Sequence, residues 1–244
     1  MGQGITFEFS DFLDGSKLPL ACKLALNLVE VWRRPLLTGA SVLERGYELL
    51  SDDERDRASR FRVESARSAF VLTRSALRLL LAGYLEESPR QIRFRFTDHG
   101  KPFLDGRSDL HFNVSHTDGL ALLAFARKRR IGVDVERIRP QTDALKLARR
   151  FFSHSERAEL EDLDAGELAS GFFRCWSRKE AYIKARGEGL SIPLHQFDMS
   201  TEPNPEQTLL ATRPDRCEVQ RWLVRDVPVP RGYAAAMALE YGSE

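Results

Sequence analysis

Ile131-Gly132-Val133-Asp134-Val135-Glu136 is the stretch from which the fold and the function of this chain can be inferred. Side chains alternate between the two faces of a β-strand. The two valines are therefore predicted to face a core, while Asp134 and Glu136 point together to the opposite face. An amphipathic strand with a solvated acidic face is the simpler interpretation of these six residues taken alone.

A second stretch, Trp176-Ser177-Arg178-Lys179-Glu180-Ala181-Tyr182-Ile183-Lys184, carries complementary charges. Glu180 and Lys184 are four residues apart and would lie side by side on a helix, which is also ordinary for a surface helix. If this helix packs on the strand, three carboxylates and one ammonium meet, and like charges so close resist ionising together. A hard divalent cation resolves that conflict, and Mg²⁺ also takes phosphate oxygens. The two stretches predict a Mg²⁺ site for a phosphorylated substrate.

Composition narrows the class of protein. A chain of 244 residues with a net charge of +1 can bury a large core and does not favour bulk nucleic-acid binding. Its three cysteines (Cys22, Cys175 and Cys217) are an odd number without metal-ligand spacing, which suits a reducing compartment. No signal-peptide pattern and no apolar run of membrane-spanning length are visible. We expect a cytoplasmic protein without nucleic-acid or membrane partners.

The element pattern repeats along the chain. Ser153-His154-Ser155-Glu156-Arg157 echoes Ser51-Asp52-Asp53-Glu54-Arg55 at an offset of 102 residues, and both begin with a capping-box pattern. Strands are predicted at residues 25–32 and 131–136, a helix at 67–85, a hairpin at 110–114 and 120–126, and an edge strand at Phe7 and Phe9. The prediction is two similar α+β halves, residues 1–126 and 131–244, with a ligand site in the cleft between them.

The two stretches, in this order and about 45 residues apart, resemble the paired motif of the 4′-phosphopantetheinyl transferase superfamily. The resemblance covers about residues 25–240 and implies an α+β pseudo-dimer with its active site between the halves. Four further motifs resemble the Sfp-type branch, whose single chain holds two homologous halves: His99-Gly100-Lys101-Pro102, Phe112-Asn113-Val114-Ser115-His116, Arg150-Phe151-Phe152-Ser153 and Gly187-Glu188-Gly189-Leu190-Ser191.

The resemblance implies a reaction. A serine hydroxyl of an apo acyl or peptidyl carrier protein attacks the β-phosphate of coenzyme A, and adenosine 3′,5′-bisphosphate leaves. Asp134, Glu136 and Glu180 would be the ligands of Mg²⁺, with Mn²⁺ as the alternative ion. Glu180 and Lys184 would form the catalytic helix, on which Lys184 stabilises charge on the phosphoryl oxygens.

Contacts to coenzyme A are also implied by the resemblance. Ser115 and His116 would bind its phosphates and Lys101 its nucleotide, although a hairpin end and a solvated loop lysine are the simpler interpretations. Arginines on one helical face, or near the preceding helix, would hold the 3′-phosphate, although such a face is usually only solvated. The candidates are Arg67, Arg74 and Arg78 on the helix, with Arg57 and Arg60 before it, and of these we select Arg60, Arg67 and Arg74.

Glu156 has two interpretations. By resemblance it occupies the position of a general base for the serine hydroxyl. By its local pattern it is the third helical residue of a capping box that begins at Ser153, and Glu54 occupies the same place in the first half, where no chemistry is expected. A water bound to the metal is the alternative base.

We therefore expect a monomeric enzyme whose partners are coenzyme A and a carrier protein. Carrier domains tend to be acidic, so a mixed apolar and basic docking rim is expected near the cleft. Two other functions remain open at this point. A hydrolase of nucleotide pyrophosphates would use the same carboxylates with water as the nucleophile, and a catalytically silent module would only bind coenzyme A or a carrier domain.

Overall fold

Two long helices, each preceded by a shorter one, stand against antiparallel strands. The computed structural model describes residues 5–12, 24–36, 39–106, 109–203 and 205–241, with the backbone alone at residue 190. The helices there are α1 Ala40–Glu48, α2 Asp52–Ser59, α3 Glu64–Leu85, α4 Ala144–Phe151, α5 His154–Glu161, α6 Ala165–Arg186 and α7 Glu218–Arg221. The strands are β1 Thr6–Asp11, β2 Leu28–Pro35, β3 Phe94–Phe96, β4 Pro102–Leu104, β5 Leu110–Thr117, β6 Leu120–Arg127, β7 Ile131–Arg137, β8 Phe197–Met199, β9 Leu209–Thr212, β10 Trp222–Asp226 and β11 Tyr233–Glu240.

Two sheets carry the main strands. The first has the order β1-β2-β6-β5 and the second the order β10-β11-β7. The predicted edge strand at Phe7 and Phe9 is confirmed, since β1 pairs in parallel with β2 at the end of the first sheet. The predicted hairpin is also confirmed, but β5 runs on to Thr117. Ser115 and His116 therefore lie inside a strand and do not end it.

The predicted repeat is visible in the helices. α2 and α5 are eight residues long and follow Ser51 and Ser153, while α3 and α6 are both 22 residues long. The predicted helix at 67–85 begins one turn earlier, at Glu64. These matched helices with sheets that are antiparallel except for β1 confirm the α+β fold class. The chain boundaries of the two halves stay a prediction.

Each long helix buries an apolar face against its own sheet. α3 contributes Leu77, Leu80 and Leu81 to a core that also contains Phe125 of β6. α6 packs with Ile183 and other apolar residues against Ala236 of β11. Complete burial of each large side chain is worth roughly 1.5–3 kcal/mol.

A third apolar layer joins the two halves. It contains Leu122 and Ala124 of β6 together with Val133, Val135 and Met237 of the second sheet. The valines of the deciding stretch therefore face a core, as predicted. Asp134 and Glu136 are left on the opposite face of β7.

α3 departs from one expectation. By length and composition it is the one helix in the described part of the chain that could cross a membrane. However, 67% of its apolar window is buried inside the protein. A largely buried window is typical of a core helix, so its apolar character reflects packing within the first half.

Candidate active site in the groove between the halves

Gly132 allows α6 to lie directly on β7. A Cβ atom at this position would stand 2.1 Å from the carbonyl oxygen of Ala181 and 2.3 Å from the amide nitrogen of Ala185, both backbone atoms of α6. Only glycine permits this approach. As a result the Lys184 ammonium lies 2.5 Å from Asp134 Oδ1. The strand and the helix of the two predicted motifs are thus in contact.

β5 is bound to β7 by a ladder of side chains. Its alternate residues Asn113, Ser115 and Thr117 accept hydrogen bonds from backbone amides of the neighbouring strand. These bonds are Val133 N to Asn113 Oδ1 at 2.9 Å, Val135 N to Ser115 Oγ at 3.4 Å and Arg137 N to Thr117 Oγ1 at 3.3 Å. Because these side chains replace the backbone acceptors of a paired strand, they satisfy β7 and join the halves at the site. Their role was missed, although alternate polar residues in a buried strand are a signal for it.

Asp134 is buried with only half of its hydrogen-bonding capacity used. Its side chain is 4% exposed. Oδ1 accepts hydrogen bonds from Ser115 Oγ at 2.9 Å and from the Lys184 ammonium, which also donates to Ser115 Oγ at 3.0 Å. Oδ2 is buried and has no hydrogen-bond partner among the described residues. An unsatisfied buried carboxylate oxygen is costly, and a cation would satisfy it.

Glu136 and Glu180 also carry charge that the protein does not neutralise. Burial, followed by repulsion from Asp134, raises the pKa of Glu136 to about 7, against the opposing effect of Lys184. Burial likewise raises the pKa of Glu180, Lys184 opposes it, and Asp134 adds to the rise. The three carboxylates therefore repel one another, and the cations Lys184 and Arg139 offset the rise at Glu136 only in part.

These residues fit a hard cation by their chemistry. Carboxylate oxygens are the donors that Mg²⁺ prefers, and the free Oδ2 of Asp134 is a position for one such bond. No group of three or more histidine, cysteine, aspartate or glutamate side chains in the described ranges is already arranged around a common point. The assignment of Asp134, Glu136 and Glu180 as ligands therefore stays a prediction.

A cavity of about 320 Å³ opens beside Lys184. Two of its border residues each have one buried polar atom, Thr73 Oγ1 and Arg74 Nη1, without a hydrogen-bond partner in the part of the chain that the structure covers. A neighbouring cavity of about 250 Å³ shares Pro102, Val114 and Lys184 with it. The first is bordered by Arg57, Phe70, Thr73, Arg74, Leu77, Pro102, Val114, Ser115, His116 and Lys184, and the second also by His99, Gly100, Lys101, Asn113, Glu180, Ile183, Gly187 and Gly189.

The structure separates the predicted arginines. Arg74 borders the cavity, its guanidinium lies over the ring of Phe94 at 4.8 Å, and burial lowers its pKa. Arg67 instead pairs with Glu64 on the surface at 3.0 Å, and Arg60 is exposed beyond the end of α2. Neither of them borders either cavity, so the geometry does not support these two as contacts to the 3′-phosphate.

Two further arginines complete this correction. Arg57, which we did not select, borders the cavity and lies over the Phe70 ring at 5.1 Å. Arg78 is buried, and its guanidinium donates to Glu54 at 2.6 Å and to the carbonyl oxygen of Pro89 at 2.6 Å. Arg78 therefore binds α2 to α3 and is not free to bind a ligand.

Lys101 departs from its predicted role. It borders the second cavity, but its ammonium donates to the carbonyl oxygens of Lys184 at 2.6 Å and Ile131 at 3.2 Å. Burial, followed by the charge of Arg130, lowers the pKa of Lys101 to about 8. Its amine thus joins the first half to β7 and α6, and in this geometry its hydrogen bonds all go to backbone carbonyl oxygens.

Glu156 lies in a capping box. Its Oε2 accepts from the Ser153 amide at 2.9 Å, and its Oε1 accepts from the Met199 amide at 2.7 Å and pairs with the Lys179 ammonium at 2.6 Å. The residue is 1% exposed. Of its two interpretations, this geometry favours the helix cap over the general base.

Sequence comparisons give matches in both halves. A family model described as the 4′-phosphopantetheinyl transferase superfamily matches residues 130–238, and one described as the N-terminal part of 4′-phosphopantetheinyl transferase matches residues 40–128. The 4′-phosphopantetheinyl transferase HetI of Nostoc sp. is 40% identical over 189 residues, which is 76% of this chain and 79% of the relative. The 4′-phosphopantetheinyl transferase Sfp of Bacillus subtilis is 33% identical over 64% of this chain and 68% of its own length. A putative 4′-phosphopantetheinyl transferase of Synechocystis sp. is 33% identical over 80% of this chain and 76% of the relative.

Proposed function

This chain belongs to the 4′-phosphopantetheinyl transferase superfamily and transfers phosphopantetheine from coenzyme A to carrier proteins, and on that premise we propose that the transfer depends on a divalent cation held by Asp134, Glu136 and Glu180. The unsatisfied Oδ2 of Asp134 is the observation that carries this proposal. The pKa of Glu136, raised by burial and then by repulsion from Asp134, supports it, because a nearby cation would stabilise the charged carboxylate against both effects.

The groove offers matched donors for the anionic parts of coenzyme A. Thr73 and Arg74 each present a buried donor without a partner among the described residues, and Arg57 lies beside them. We assign the 3′-phosphate to this corner, because a phosphate supplies acceptors for both donors. His116 and Lys184 border the same cavity, and Lys184 also contacts Asp134, so we assign the pyrophosphate to this side.

The residues of the site hold the reacting groups in place. Ser115 fixes Asp134 through its hydroxyl, and β5 fixes β7 through the side-chain ladder. Lys184, at the border of the cavity, can donate to a phosphoryl oxygen when it is no longer needed by Asp134. A bound Mg²⁺, or Mn²⁺ as the alternative, would neutralise the negative charge that develops on the phosphate oxygens. In-line attack by the carrier serine then needs mainly alignment.

The test is the intact mass of a panel of apo-carrier proteins after incubation with coenzyme A and Mg²⁺. We expect the mass of one phosphopantetheine to be added with Mg²⁺ and not with a chelator, and D134N to be inactive. D143N is the control, since Asp143 caps α4, borders neither cavity of the groove, and can be replaced by asparagine as an equally good cap. Transfer at the full rate in the presence of chelator contradicts the proposal.

One arm of the same experiment omits the carrier protein. Rapid release of adenosine 3′,5′-bisphosphate under those conditions would indicate hydrolysis by the alternative mechanism. A silent binding module is set aside, because the chain belongs to a family of transferases.

We also propose where the carrier docks. A cavity of about 700 Å³ adjoins the groove at His116 and is bordered by Leu36, Phe61, Ala69 and Arg139, among others. Its charged border residues are Arg139 and Asp118, which pair at 2.9 Å, and His116 lies beside them. We propose this mixed apolar and polar surface as the docking rim for an acidic domain, with Arg139 as its cationic contact. We further propose a monomer that acts in the cytoplasm, since both halves of the groove lie in one chain and the cysteine content suits that compartment.

A further inference from the structure

We propose that Glu156 and Lys179 form a buried ion pair that positions helix α6 for the reaction, so that Glu156 is a positioning residue and not the general base. The inference rests on the proposed function, because it concerns how the same groove is held in its active geometry. It assigns Lys179, for which no role was predicted, a place beside the catalytic helix residues Glu180 and Lys184.

The Lys179 ammonium has no free donor. Its side chain is fully buried, and it pairs with Glu156 Oε1 at 2.6 Å. It also donates to the carbonyl oxygens of Leu194 at 2.7 Å and Phe197 at 2.6 Å. Two hydrogen bonds and one ion pair thus surround an ammonium that has three donors. The lysine therefore ties α6 both to α5 and to the segment that leads into β8.

The Glu156 carboxylate is equally occupied. Besides Lys179 it accepts hydrogen bonds from the amides of Ser153 and Met199. The buried Cys175 thiol of α6 faces the same carboxylate, and Arg213 lies within reach of its charge. A general base must reach its proton directly or through one water molecule, and a carboxylate that is 1% exposed and fully bonded does neither.

The pair instead fixes the part of α6 that faces the groove. Glu180 follows Lys179 directly, and Lys184 is five residues further along the same helix. A rotation or slide of α6 would move both groups relative to Asp134. Displacements of about 1 Å can cost about 100-fold in rate, so a fixed anchor at Lys179 has a direct effect on the chemistry.

The experiment compares E156Q, K179M and the double variant E156Q/K179M. Glutamine keeps the capping box, since it serves at the third helical position as glutamate does. K179M leaves the buried carboxylate without its counterion, whereas the double variant removes both charges. E159Q is the matched control, because Glu159 of α5 accepts from the Thr201 amide at 3.1 Å and, among the described residues, forms no hydrogen bond or ion pair with α6. Folding of each variant is checked by its thermal transition.

The readouts are the pH profile of kcat/KM and the Mg²⁺ concentration for half-maximal rate. We expect E156Q to keep the acid limb of the profile, to lose about 10- to 100-fold in activity and to need more Mg²⁺. We expect the double variant to be more active than K179M, and E159Q to match the wild type in both readouts.

Two results overturn the inference. One is loss of the acid limb in E156Q, which identifies a base. The other is an unchanged rate and Mg²⁺ requirement in E156Q, which reduces the pair to a structural feature. If K179M does not fold, the pH profile and the Mg²⁺ requirement of E156Q are sufficient to test the inference. If the wild type transfers phosphopantetheine without any divalent cation, the proposed metal dependence is refuted instead. The acid limb of the E156Q pH profile would still show whether Glu156 is the general base.

Discussion

At the scale of single residues, the site is defined by charge that the protein leaves unbalanced. Asp134 has one satisfied and one unsatisfied oxygen, and Glu136 and Glu180 both have raised pKa values. A site that is costly without its ligand is a common feature of functional clefts. Binding of the cation should therefore stabilise the fold as well as support the reaction.

Glu136→Gln tests this imbalance without catalysis. The pKa of Glu136 is about 7 in the folded state and 4.5 in the unfolded state. The contribution of Glu136 to stability is therefore fully present below pH 4.5 and is lost as the pH rises through about 7. After a discount for solvent screening, we expect E136Q to raise the free energy of unfolding of the metal-free protein by roughly 1 kcal/mol at pH 8, or its Tm by about 2–4 °C. Near pH 4.5 we expect no change. Thermal unfolding at the two pH values measures this, and equal Tm values at pH 8 would argue against it.

Arg74→Met tests the 3′-phosphate corner. We expect KM for coenzyme A to rise about 10- to 100-fold, the value of a charge-assisted hydrogen bond, with KM for 3′-dephospho-coenzyme A unchanged. Arg67→Met is the matched control from the same helix, and we expect it to change neither constant because Arg67 pairs with Glu64 on the surface. Steady-state kinetics with coenzyme A and with 3′-dephospho-coenzyme A measures these KM values. An equal rise in KM for the two substrates would refute the assignment of the 3′-phosphate to Arg74.

At the scale of elements, the site depends on the contact between β7 and α6. Glycine at position 132 is required because an added Cβ would meet backbone atoms, which cannot move aside cheaply. The side-chain ladder from β5 holds the other edge of β7. Asp134 is thus positioned from both sides.

Gly132→Ala tests that contact. We expect the free energy of unfolding to fall by at least about 3 kcal/mol, which is the upper range for overpacking, and we expect no measurable phosphopantetheine transfer. Gly166→Ala near the start of α6 is the control, since nothing lies within 4 Å of its added Cβ. Alanine is the better helix former by about 1 kcal/mol, so this control should be neutral or stabilising. Chemical denaturation of both variants checks the difference, and equal stability would contradict the close approach.

The sequence predicted the local elements well and the long-range contacts poorly. The capping boxes, the long helices and the alternation in β7 depend on neighbouring residues, and they are found where they were predicted. Arg67, Arg74 and Arg78 share a helical face by spacing, yet α2 covers Arg78 while Arg67 remains on the surface. The role of Lys101 depends on carbonyls about 30 and 83 residues away, which no local pattern reveals.

At the scale of the whole molecule, both walls of the groove come from one chain. We therefore expect the active species to be a monomer of 27.8 kDa. Light scattering during size-exclusion chromatography measures the mass, and activity assays over a range of enzyme concentrations should give a constant specific activity. A dimer whose specific activity falls on dilution would contradict this expectation.

The docking surface gives a second prediction at this scale. An acidic carrier that approaches a partly basic rim is steered by charge, so its association rate should fall by about tenfold or more between low and high salt. Arg139→Glu should slow association without affecting KM for coenzyme A. Stopped-flow measurements of carrier binding test both statements. A rate that does not depend on salt would rule out this form of docking.

The most direct test of the central claim is a crystal structure with coenzyme A and Mn²⁺, examined by anomalous scattering. We predict one anomalous peak in the groove, about 2.0–2.3 Å from oxygens of Asp134, Glu136 and Glu180 and close to the pyrophosphate. A peak elsewhere, or a pyrophosphate bound in the groove without any ion at these three carboxylates, would contradict the claim.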